Sequence, residues 1–115
     1  NGLDLSYRML TKVAKLVLDH PGQVHPLLAN HELAQMAGHS VSKGGGCMTA
    51  RFHEGLDYVF GDDADEVFAA LTTFILSMPL AARTEHGIFC SHSLPGPAMM
   101  SRFDFDIIDR PLVPE

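Results

Sequence analysis

Val24-His25-Pro26-Leu27-Leu28-Ala29-Asn30-His31-Glu32-Leu33-Ala34-Gln35-Met36 is the stretch that decides the fold. Its first half is a short apolar run, of the length a buried strand needs, although Pro26 cannot donate to a ladder. Its second half has the composition of a helix opened by Asn30 or His31 and closed near Gly38. An apolar strand feeding directly into a helix marks an α/β chain, and α/β sheets place ligand chemistry at the carboxyl ends of their strands. Asn30 and His31 stand at such an end.

Reading outward, Leu3 to His20 has Leu5, Met9, Val13, Leu16 and Val17 at spacings of three and four. That spacing predicts an amphipathic helix, with Lys12 and Lys15 outside the stripe and Pro21-Gly22 as its stop. Downstream, His39 to Thr49 reads as a loop around Gly44-Gly45-Gly46, and Ala50 to Phe60 as a helix. Gly61-Asp62-Asp63 forms a stop and a new start. Asp65 to Met78 carries Val67, Phe68, Leu71, Phe74, Ile75 and Met78 at helical spacing, and Pro79 ends it. Leu80 to Thr84 and Gly87 to Cys90 read as two strands joined through Glu85-His86-Gly87. Leu94 to Pro97 is irregular, and Asp104 to Arg110 forms one helical turn before Pro111. Helices alternating with short strands give an α/β class.

Composition narrows the function. The chain has 115 residues, enough for one small domain, with 46% hydrophobic and 19% charged residues, ordinary for a folded protein. A formal net charge of −6 argues against nucleic acid, whose affinity comes from clustered Lys and Arg. It also leaves no polybasic signal for a membrane surface. No apolar run approaches the ~20 residues that span a bilayer. Cys47 and Cys90 are too few for a disulfide framework, which points to reduced thiols and a cytoplasmic setting. The chain begins without a methionine, which suggests a truncated or processed sequence.

Two features can carry chemistry. The Asn30 amide oxygen is a neutral hard ligand for a divalent cation, and the neighbouring His31 can move protons near neutral pH. The bland alternative makes Asn30 a helix cap, with His31 and Glu32 filling the first turn. His92 follows the second strand of the pair, where an imidazole is held in place to ligate a metal; alternatively it is a loop histidine bonded to backbone. His20, His25, His39, His53 and His86 share no ligand spacing and read as surface or loop residues. The glycine triplet lacks the phosphate-loop spacing. Asp62, Asp63, Asp65 and Glu66 suit a helix start, and Asp104, Asp106 and Asp109 read as surface charges.

Taken in order, these segments resemble the calcineurin-like metallophosphoesterases, in particular their serine/threonine protein phosphatase branch. Leu27 to Glu32 is similar to that family's strand ending in Gly-Asn-His-Glu. Met78-Pro79-Leu80-Ala81-Ala82 and Gly87-Ile88-Phe89-Cys90-Ser91-His92 resemble its paired strands ending in a metal-binding His. Ile108-Asp109-Arg110-Pro111 resembles the stretch that follows, and Ser6 to His20 fits a helix between earlier motifs.

The resemblance implies a partial metallophosphoesterase-type α/β sandwich over residues 1–115. It implies Asn30 and His92 as ligands in a centre of two divalent ions (Mn, Fe or Zn), His31 as the general acid, and Glu32 as support for the turn. The substrate it implies is a phosphoprotein or small phosphomonoester. Ala29 stands where the family has Gly, and Ser93-Leu94-Pro95-Gly96-Pro97 replaces its Gly-Gly-Leu-Ser-Pro. The family's Gly-Asp-x-His-Gly and Gly-Asp-x-x-Asp-Arg-Gly motifs do not occur. The chain is therefore expected to be an internal segment of the catalytic domain, with an incomplete active site. The competing expectation is a non-catalytic α/β binding or interaction module.

Overall fold

A computed structural model describes residues 3–36, 42–43 and 46–110. In chain order it holds α1 (Tyr7–Asp19), α2 (Asn30–Met36), β1 (Ser42–Lys43), β2 (Gly46–Cys47), α3 (Met48–Phe60) and α4 (Ala64–Leu76). These are followed by β3 (Ala81–Arg83), β4 (Phe89–Ser91) and α5 (Pro97–Met100), with 3₁₀ turns at Gly61–Asp63 and Phe105–Asp109.

The centre is a packed pair of helices. In α3, Phe52 and Leu56 are buried and Phe60 packs beside them, a four-residue repeat that keeps one face inward. In α4, Leu71 and Ile75 continue the same repeat toward the core. Tyr7 of α1 closes the cluster, its ring meeting Phe60 edge-on at 5.2 Å. Leu10 bridges this cluster to a smaller one of Leu28, Ile75 and Met78. After Leu76, the Ser77 N–H bonds the Thr73 and Phe74 carbonyls and its hydroxyl donates to Phe74 O at 2.6 Å. Pro79, which has no N–H to extend the helix, then turns the chain out.

The α1 stripe is rotated from its expected setting. Val13 and Val17 are half-buried as the periodicity predicts, but Met9 is 64% and Leu16 47% exposed. Tyr7 and Leu10 take the inward positions instead. The helix rests on α4 along a narrow line, so apolar residues one position off that line stay in water.

The expected strand at 24–29 is an extended segment outside any sheet. Leu28 is buried, and its N–H donates to Pro79 O at 3.0 Å, so the segment does run against the chain entering β3. The neighbouring donor, two residues earlier, would be Pro26, which has no N–H, and no ladder forms. The 39–49 loop is also corrected at its described positions. Ser42 pairs with Cys47 and Lys43 with Gly46, and α3 already begins at Met48. Its remaining residues, and the expected end of α2 near Gly38, lie outside the described residues.

β3 and β4 pair antiparallel, with Ala81 opposite Ser91, Ala82 opposite Cys90 and Arg83 opposite Phe89. Thr84 N–H donates to Ile88 O at 2.9 Å to close the hairpin, and Gly87 supplies the positive φ of 83° in its turn. Pro97 opens α5 at a first-turn position, where its missing N–H is harmless. The expected turn near the end is a 3₁₀ helix: Asp104 Oδ1 accepts from Asp106 N, and Asp104 pairs with Arg110. The described residues are thus mixed helix and short strand, and the two sheets among them are antiparallel and two-stranded. No layered sandwich is present among the described residues. No helix of those residues is long and apolar enough to cross a membrane.

Candidate functional site

Asn30 is the first residue of α2. The Leu33 N–H donates to Ala29 O at 3.2 Å, so Ala29 occupies the capping position and the Asn30 side chain does not. The helix-cap alternative for Asn30 therefore fails in this structure. Its amide is exposed and has no hydrogen-bond partner among the described residues.

Asn30 borders a cavity of about 300 Å³ walled by Leu28, Leu33, Leu80 and Phe89. The other side is formed by Ser91 and Ser93, which flank His92. The Leu28–Pro79 hydrogen bond and the Ala81–Ser91 pairing are what bring the start of α2 and the end of β4 together. Two segments about sixty positions apart in the sequence thus share one hollow.

The three residues expected to act together are only partly gathered. His92 is exposed and does not line the cavity, whereas Ser91 and Ser93 on either side of it do. His31 borders a neighbouring cavity of about 210 Å³, between α1, α2, α3 and α4. Asn30 and His31 therefore line different hollows, although they are neighbours on α2. Glu32 and Gln35, on the His31 side of α2, line that second cavity together with Asp4 and Ser6 of the segment leading into α1.

The donor set has a clear chemical limit. The cavity beside Asn30 offers an amide oxygen and two hydroxyls, all neutral, whereas hard divalent cations draw their binding charge from carboxylates. No group of three or more His, Cys, Asp or Glu side chains that could hold a metal occurs among the described residues. Asn30 and His92 are suitable donors, but these residues alone do not make a metal centre.

Ser91 and Ser93 were not singled out by sequence reasoning. The signal was present, since residues two apart across a strand end share a face and His92 between them takes the other. The other histidines behave as expected where described. His20, His25, His53 and His86 are exposed, His25 Nε2 lies 3.1 Å from Gly22 O, and the His53 ring lies 4.3 Å from that of Phe68 at a tilt of 42°. His39 lies outside the described residues. Cys90 is a free, exposed thiol. No family model, curated protein or solved structure matches this chain.

Proposed function

We propose that these residues are a segment of a metal-dependent phosphoesterase that hydrolyses phosphomonoesters, of the serine/threonine protein phosphatase type. The observation that carries the reading is the uncapped Asn30 amide, held on one hollow with the two serines that flank His92. A helix-first Asn that caps nothing is free to ligate. The ordered resemblance of 27–32, 78–82, 87–92 and 108–111 to the calcineurin-like metallophosphoesterases supports it independently.

In this reading Asn30 and His92 would be two of the protein ligands of a dinuclear centre. The remaining ligands, aspartates above all, would belong to the two Gly-Asp motifs that these 115 residues lack. β3 and β4 are then two strands of a larger sandwich. Bound divalent ions would supply Lewis-acid polarisation of the phosphoryl oxygens and an activated water. The residues of this chain contribute the rest. His31, exposed at the edge of α2, holds the proton that the departing alkoxide oxygen takes up.

The test uses the full-length protein. His31→Ala should lower kcat by about 10²–10³-fold on alkyl phosphates, whose leaving groups need a proton, and far less on aryl phosphates with acidic leaving groups. An unchanged kcat on alkyl phosphates would remove His31 from the mechanism. The 115-residue chain alone should show no turnover and weak Mn²⁺ binding. Steady phosphatase turnover from that chain would refute its reading as an incomplete site.

A further inference from the structure

The second cavity borders His31, but most of its lining takes no part in the proposed proton transfer. Its apolar lining is Leu10, Phe52 and Ile75, with the largely exposed Met9 beside them. At its α2 wall, Glu32 Oε2 and Gln35 Nε2 are closed off from water and have no hydrogen-bond partner among the described residues. Buried polar atoms are nearly always paired, and leaving one unpaired costs about 1–3 kcal/mol. Here two lie on one face of a short helix, three residues apart and so adjacent.

The pair is also chemically specific. Glu32 Oε2 can only accept and Gln35 Nε2 can only donate. An ammonium ligand would leave the Gln35 N–H unmet, and a carboxylate ligand would face Glu32. A group presenting an N–H beside a C=O meets both at once. We infer that this cavity is a binding site for a small neutral molecule with an apolar body and a primary carboxamide head. An apolar cavity of about 150 Å³ holds a benzene ring. The 210 Å³ found here has space for such a ring and an attached amide. The inference needs neither a metal nor catalysis, and so stands apart from the phosphoesterase reading.

The probe is benzamide, with toluene as its apolar counterpart, titrated into the isotopically labelled 115-residue chain and followed by amide chemical shifts. Benzamide should bind about tenfold more tightly than toluene, with shifts centred on Glu32, Gln35 and Phe52. Gln35→Leu should bring benzamide down to the affinity of toluene. Without ligand, the same variant should raise the thermal midpoint, because it removes an unpaired buried amide. Equal affinity for the two probes, or shifts centred elsewhere, would overturn the site. So would a lowered midpoint in Gln35→Leu, which would mean the amide already has a partner. Ordered water on both atoms with no benzamide binding would equally reduce the cavity to a hydrated void.

Discussion

Gly55 is the position where one added carbon has the largest calculable effect. It lies in the buried face of α3 beside Leu56, and a Cβ built on it would sit 1.8 Å from Asp4 O and 3.0 Å from Asp4 C. Both neighbours are backbone, so no side chain can swing aside. To reach ordinary contact near 3.4 Å, the 3–6 segment would have to retreat by about 1.6 Å, a displacement that overpacked cores resist. That segment has little freedom to move, because Asp4 Oδ1 accepts from Ser6 N at 2.9 Å and Ser6 O accepts from Met9 N at 2.8 Å, which together fix the start of α1.

Overpacking of this kind costs about 1–3 kcal/mol or more. Against it stands the gain of about 1 kcal/mol from placing Ala rather than Gly inside a helix. Because the clash is with fixed backbone, the overpacking cost falls at the top of that range, about 3 kcal/mol, and the balance for Gly55→Ala is a net loss of about 2 kcal/mol, or a thermal midpoint lower by roughly 10 °C in a chain of this size. Gly96→Ala, with nothing within 4 Å of its added carbon, is the matched control and should move the midpoint by no more than a degree or two. Thermal unfolding followed by circular dichroism measures both. If Gly55→Ala unfolds at or above the wild-type temperature, the 3–6 segment does not dock on α3, and the cavity bordered by Asp4 and Ser6 is not formed as described.

Further outcomes follow from the same contacts. Asn30→Ala should change stability by less than about 0.3 kcal/mol, since a capping Asn would cost about 1 kcal/mol on removal and this one caps nothing; denaturant midpoints decide between them. Leu56, 1% exposed at the centre of the α3–α4 contact, should cost about 2–5 kcal/mol as Leu56→Ala, read as a fall in the urea midpoint at unchanged slope. Gly87→Ala forces a Cβ onto a φ of 83° and should weaken the β3–β4 hairpin, lowering hydrogen-exchange protection of Ala82 and Thr84 without affecting α3 and α4. Lys15→Ala should leave stability within about 0.5 kcal/mol, because the Lys15–Asp19 pair at 2.7 Å is open to solvent on both sides.

Much of the chain was legible from local signals because those signals act over a few residues. Pro79 ends α4, Gly87 turns the hairpin, and the four-residue repeats of Phe52, Leu56 and Phe60 and of Leu71 and Ile75 place α3 and α4, all by short-range sterics and periodicity. The same logic located the Asn30–His31 turn at the start of a helix.

Relations between distant segments were decided only in three dimensions. Which side of α1 faces inward depended on where α4 lay, so Tyr7 and Leu10 took the place of Met9 and Leu16. Whether 24–29 became a strand depended on a partner edge that could trade hydrogen bonds with it, and Pro26 left it one bond to Pro79. The direction of each candidate side chain followed in turn. The rotation of α2 separated Asn30 from His31, and the register of β3 with β4 set Ser91 and Ser93, rather than His92, against Asn30. Residue identity supplied the donors; helix rotation and strand register, which no local pattern encodes, decided which of them meet.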